Sequence, residues 1–161
     1  MRDMLSYCNG GTERELPQGA VLIEEGSKTG LLFVLIKGQL EVLRGGTVVA
    51  VLAEPGAVAG EMSLLLDQPH SATVRAAADS TIYEFADAAS FLNEQPAVAL
   101  QIARLLAQRL NVATTYLADL KTQYAGHGTH LEMVGDILQC MISLPSQQVS
   151  PGSDRESDGR L

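Results

Sequence analysis

Gly60-Glu61-Met62-Ser63-Leu64-Leu65-Leu66-Asp67-Gln68-Pro69-His70-Ser71-Ala72-Thr73-Val74-Arg75-Ala76 stands apart from everything around it. Glu, Met and three Leu favour a helix, here of barely two turns, opening at a glycine. Such an opening leaves backbone N–H groups without intrahelical acceptors, and those groups attract anions. Gly60 leaves room for a close backbone approach. Glu61 beside an anion is electrostatically unfavourable unless its carboxylate serves a neighbouring hydroxyl, and paired sugar hydroxyls suit it. Thr73 to Ala76 then reads as a strand, so the short helix is inserted between strands.

Upstream, short β-branched and apolar runs alternate with Gly and Pro. Val21-Leu22-Ile23 precedes Glu25-Gly26, Leu31 to Ile36 precedes Lys37-Gly38, and Leu40 to Leu43 meets Arg44-Gly45-Gly46 before Thr47 to Leu52. A Gly-Gly pair between two such runs predicts an antiparallel hairpin over 40–52, because both turn residues can take positive φ. Pro55-Gly56 marks a further turn. Thr81 to Phe85 reads as another strand. Many short strands with regular turns predict a sandwich or barrel-like roll. The first 15 residues are weakly patterned, with a short helix over Asp3 to Asn9 that stops at Gly10-Gly11.

Beyond Phe85 the periodicity becomes helical. Asp87 is an acidic N-cap for a short helix through Leu92. Pro96 suits the first turn of a long one, and no Gly or Pro interrupts Ala97 to Ala125. Its apolar residues fall on two stripes. One is Val98, Ile102, Leu105 and Val112. The other is Leu106, Leu110, Ala113, Leu117, Leu120 and Tyr124, with the alternating spacing of a coiled-coil seam. Two apolar faces predict two partners, the roll and a second copy of the chain; burial on both sides within one monomer is the alternative. Gly126-His127-Gly128 ends this helix. Thr129 with Glu132 forms a capping box for a last helix ending at Pro145. The polar remainder reads as a disordered tail. The expected organisation is therefore 1–15, a segment with a short helix; 16–95, the roll; 96–125, the long helix; 129–144, a terminal helix; and 145–161, the tail.

The chain of 161 residues carries 11 Lys and Arg against 19 Asp and Glu, a net charge of −8. That balance opposes non-specific binding to nucleic acid or to an anionic membrane surface. Three Phe, four Tyr and no Trp leave the core to aliphatic side chains. Cys8 and Cys140 form no disulfide framework and have no metal-ligand spacing, which suits a reducing cytoplasm. No Walker A, GxSxG or HExxH motif is present. His127 and His130 lack further ligands at suitable spacing. No catalytic residue, no metal and no cofactor is expected, and the protein is read as a non-enzyme.

The deciding stretch resembles the cyclic-nucleotide-binding domain family, whose pattern is roughly Phe-Gly-Glu-Leu-Ala-Leu, a short gap, then Pro-Arg-Ala-Ala-Thr-Val. Gly60, Glu61, Met62, Ser63 and Leu64 match the first part, and Pro69, Ser71, Ala72, Thr73 and Val74 the second. Leu16-Pro17-Gln18-Gly19, Glu25-Gly26, Phe33 to Gly38 and Pro55-Gly56 extend the match in order, to about Leu16–Leu120. The resemblance implies an α+β fold. It consists of an antiparallel, jelly-roll-like double-sheet β-roll with a short phosphate-binding helix, then a long C-terminal helix and a further short one. It also implies roles. Amides around Gly60 to Met62, with Ser71 and Ala72, cradle the cyclic phosphate of cAMP or cGMP. Glu61 accepts from the ribose 2′-hydroxyl, and the Ser71 hydroxyl adds a phosphate bond. Val34, Ile36 and Val42 are candidates to line the purine. Thr114, with Asn111 as a near alternative, touches the base from the helix seam; a plain surface Thr is the other reading of it.

The family has Arg where this chain has His70. The lost charge-assisted bonds contribute roughly 1.5–3 kcal/mol. That predicts weak cAMP or cGMP binding, a different ligand, or a degenerate copy of the site. After Pro145 there is no room for a helix-turn-helix, so no DNA partner is expected. The expected function is a stand-alone cytoplasmic sensor, homodimeric through Leu106, Leu110, Leu117 and Leu120, that signals by moving its long helix. The alternative is a ligand-independent dimerisation or protein-interaction module on the same fold.

Overall fold

The computed structural model describes residues 2–123 and position 137. The expected terminal helix apart from position 137, the tail, His127, His130 and Cys140 lie outside the described residues. The chain divides into two compact units, Met1–Leu106 and Ala107–Leu161.

In chain order the elements are α1 (Arg2–Ser6), β1 (Thr12–Leu16), β2 (Val21–Ile23), β3 (Leu32–Lys37), β4 (Leu40–Arg44), β5 (Thr47–Leu52) and β6 (Val58–Ala59). There follow α2 (Glu61–Leu66), β7 (Thr73–Ala76), β8 (Ser80–Phe85), α3 (Ala88–Glu94) and α4 (Pro96–Gln123). The strands form two four-stranded sheets, ordered β1-β8-β3-β6 and β2-β7-β4-β5, with every pairing antiparallel. The expected double-sheet roll with a short helix and a long C-terminal helix is the observed architecture.

The predicted hairpin is β4–β5, with Gly45 at φ 55° and Gly46 at φ 81°, both in the left-handed region that the tight turn needs. Two strands escaped the sequence reading. β1 is Thr-Glu-Arg-Glu-Leu with only Leu16 buried, so it carries no apolar alternation. It is held at a sheet edge by its ladder to β8, from Thr12 opposite Glu84 to Leu16 opposite Ser80, and by the Arg14–Glu84 ion pair. β6 spans two residues, too few for any period to register.

Leu32 to Leu35 are all buried because β3 is covered on both faces. Phe33 and Leu35 point between the sheets, where they meet Leu16, Ile23, Leu40, Val74 and Ile82. Leu32 and Val34 point the other way, onto Met4, Cys8, Ala88, Val98 and Ile102 from the helical layer. Asp87 caps α3 as predicted; its side chain accepts from the Ser90 amide at 3.1 Å. Phe85 and Phe91 stack with ring centroids 3.9 Å apart, fastening α3 to β8.

The long helix needs one correction. Leu106, assigned above to the outer seam, packs against the same cluster as Val98 and Ile102. Steps of four residues, 98 to 102 to 106, keep one face of a helix turned to one neighbour. Leu110 and Val112, by contrast, are 46% and 68% exposed.

Candidate functional site

Gly60 opens α2 at φ 94°, a conformation that a side chain makes costly. Its backbone is pressed against the loop before β3, so that a Cβ there would lie 2.6 Å from the Leu31 carbonyl oxygen. Glu61 follows with only 4% of its surface exposed, and Ser63 is similarly buried. Met62 projects outward at 46% exposure, so only its backbone can serve an inward-facing site. The far end of α2 is closed by Asp67 in the left-handed region at φ 52°, with its amide bonded to the Ser63 carbonyl. The Ser63 hydroxyl donates to the Gln68 carbonyl at 2.5 Å, which ties the helix to the turn that follows.

That turn carries His70, Ser71 and Ala72. The His70 amide donates to the Ser27 carbonyl at 2.7 Å, and the Gly26 amide donates to the His70 carbonyl at 2.8 Å. The imidazole is 6% exposed, with Nε2 2.9 Å from Thr29 Oγ1. Burial holds this histidine below its ordinary pKa, so at neutral pH the ring is uncharged. His70 therefore brings no positive charge to the turn. Ser71 is exposed and Ala72 half-buried. Among the described residues, the amides of Ser71 and Ala72 take no part in the backbone hydrogen bonds of turns and loops.

The loop between β2 and β3 contributes most of what the sequence left unread. Lys28 Nζ lies 2.6 Å from Asp67 Oδ1 and donates to the Asp67 carbonyl at 3.0 Å. This pair holds the Asp67 carboxyl below the usual carboxylate range. The Glu25 amide donates to Thr73 Oγ1 at 3.1 Å, and the Leu31 amide to Thr29 Oγ1 at 3.3 Å. Residues 25–31 thus lace α2 to the His70 turn. Their sequence signal was the punctuation of Glu25-Gly26, which marks a loop but not its contacts.

The purine candidates separate. Val42 packs against the core between the sheets. Val34 does not; it faces the helical layer beside Val58 and Phe85, because alternation along β3 gives the inner face to Phe33 and Leu35. An unbroken apolar run conceals which residues face which way. Ile36 is half-buried. Thr114 belongs to the second unit, where its hydroxyl donates to the Leu110 carbonyl at 2.6 Å, an ordinary intrahelical bond. The Asn111 carbonyl is taken in the same way by Thr115 Oγ1 at 2.8 Å.

Other chemistry has little footing. Cys8 is buried, bonded to the Met4 carbonyl at 3.2 Å, and its thiol is pushed up to about 11 by burial, so it is a poor nucleophile at neutral pH. Among the described residues, no group of three or more His, Cys, Asp or Glu could hold a metal ion, and no helix is long and apolar enough to cross a membrane.

The sequence model of the cyclic nucleotide-binding domain matches residues 13–93, from β1 through most of α3. The chain belongs to this family. Curated relatives include an uncharacterized ABC transporter ATP-binding protein of Mycobacterium bovis, 39% identical over 67 residues, which are 39% of this chain. An uncharacterized ABC transporter ATP-binding protein of Mycobacterium tuberculosis is 37% identical over 70 residues. The chain spans about a fifth of the length of these relatives. Among solved structures, one from a cyclic-GMP-dependent signalling pathway that regulates bacterial phytopathogenesis is 26% identical, with a TM-score of 0.59, over 69% of this chain and 94% of that one. The catabolite activator protein of Thermus thermophilus shares the fold, with a TM-score of 0.62 at 23% identity, over 88% of this chain and 81% of that one.

Proposed function

We propose that this cyclic nucleotide-binding domain is a cytoplasmic sensor that takes up cAMP or cGMP between α2 and the turn 70–72, and that it binds weakly. What supports the reading is the family match over residues 13–93 together with a left-handed Gly60 and a buried Glu61 in the motif that also holds Ser71 and Ala72. The amides of Glu61, Met62, Ser71 and Ala72 hold the cyclic phosphate, with the Ser71 hydroxyl as a further donor. The Glu61 carboxylate accepts from the ribose 2′-hydroxyl. Val42 lines the purine side of the roll. Weakness follows from His70: a buried neutral ring cannot supply the two parallel, charge-assisted bonds of a guanidinium.

Signal output runs through α4, pivoting at the α3–α4 junction before Pro96. The outer stripe of Leu110, Leu117 and Leu120 pairs with a second copy. The same burial of His70 favours a second reading, a ligand-independent interaction module.

Calorimetric titration with cAMP, cGMP and their 2′-deoxy forms tests the proposal. The 2′-deoxy compound should bind about tenfold more weakly than its parent, as expected for a hydrogen bond to a charged acceptor. Glu61→Gln should reduce that ratio. No heat at millimolar ligand with any of the four would leave the interaction module standing.

A further inference from the structure

Two arms make the proposed cradle, the opening of α2 and the turn 70–72, with the rest of α2 between them in the chain. Besides the Ser63–Gln68 bond at the end of α2, the loop between β2 and β3 joins them. Leu31 abuts Gly60, so closely that no Cβ would fit there. The Leu31 amide donates to Thr29 Oγ1 at 3.3 Å, and Thr29 Oγ1 lies 2.9 Å from His70 Nε2. His70 in turn is bonded through its amide and carbonyl to Ser27 and Gly26. One hydroxyl thus connects a residue touching the first arm to the ring of the residue that begins the second.

We infer that Thr29 and His70 form a positioning pair that fixes the separation of the two arms, so that Thr29 governs the affinity for an anionic ligand without touching it. His70 then acts as a strut. A ring buried to 6% exposure and engaged at Nε2 is poorly placed to serve a ligand through that atom but well placed to hold a loop. Amide donors bind a phosphate well only when several converge on it, and convergence between separate chain segments requires a brace. The consequence for affinity rests on the nucleotide-binding reading above, whereas the brace itself does not.

The test uses the full chain carrying Thr29→Val or Thr29→Ser. Valine keeps the shape and removes the hydroxyl; serine restores it. Without ligand, Thr29→Val should shift the amide resonances of both Gly60–Met62 and Ser71–Ala72, and should speed hydrogen exchange at the Gly26 and His70 amides about fivefold. Thr29→Ser should return both toward wild type. With cAMP and cGMP, the valine variant should bind about fivefold more weakly and the serine variant like wild type, at an unchanged melting temperature for the serine protein. Amide shifts confined to residues 28–32, with exchange at His70 unchanged, would overturn the brace. Altered shifts in both arms with unaltered affinity would overturn its role in binding. If wild type takes up neither nucleotide, the function proposed above fails, and the exchange measurement alone decides the brace.

Discussion

The carbonyl oxygen of Leu31 stands 2.6 Å from the place a β-carbon on Gly60 would take, leaving no volume for one. Position 60 is also in the left-handed region. Gly60→Ala therefore meets two penalties: the backbone conformation costs about 1–3 kcal/mol, and Leu31 must move as well. Urea unfolding should show a loss at least that large, and α2 should no longer start where it does. An alanine protein as stable as wild type would mean that the loop before β3 gives way readily.

His70→Arg separates charge from position. The guanidinium cannot stay in the buried site of the imidazole, so the bond to Thr29 is lost, at about 0.5–1.5 kcal/mol, and thermal unfolding should move down by a few degrees. Turned outward, the new cation gains charge-assisted bonds to a phosphate, which corresponds to roughly ten- to 150-fold in affinity. Lower stability with tighter cyclic nucleotide binding is the expected combination. Weaker binding at the new position would show that the strut outweighs the charge.

The same histidine gives stability a pH dependence with a definite sign. Its folded pKa lies below the ordinary 6.5, so between the two values the unfolded chain binds more protons than the folded one. Its contribution is complete above pH 6.5 and declines as pH falls from there toward the folded pKa, below which it is flat. Asp67, which closes α2 ahead of the His70 turn, is paired with Lys28 and held below the usual carboxylate range, so its carboxylate stays ionised through that window. Melting temperatures at pH 7.5 and 5.5 should differ more for wild type than for His70→Asn. An equal difference would assign the effect elsewhere.

Two leucine-like positions on one helix should behave oppositely. Ile102 is 1% exposed in the helical-layer core, and Ile102→Ala should cost about 2–5 kcal/mol of folding free energy with no change in oligomeric state. Leu110 is 46% exposed, and Leu110→Lys should leave the melting temperature of the roll unchanged while halving the mass seen by light scattering, if the outer stripe pairs two copies. A monomeric wild type would refute that seam.

The sequence alone settled the architecture because its signals are local. The Gly45-Gly46 turn, the Asp87 cap, Pro96 at the start of α4 and the Gly60–Leu66 helix each depend on a few consecutive residues, and each is found where the residues placed it. It missed β1, whose polar residues are held by a partner about seventy positions away, a pairing that leaves no trace in the strand itself.

The site divides along the same line. Sequence named Gly60, Glu61, Ser71 and Ala72 because they lie in one contiguous motif, but only tertiary structure decided what surrounds them. It turned His70 inward onto Thr29, set Lys28 on Asp67, moved Val34 to the helical side of the sheet and gave Leu106 to the roll. Each of these depends on which face of an element is covered and by what. That is fixed by how the two sheets and the helices pack, and two neighbours in space with forty residues between them carry no shared pattern in the chain.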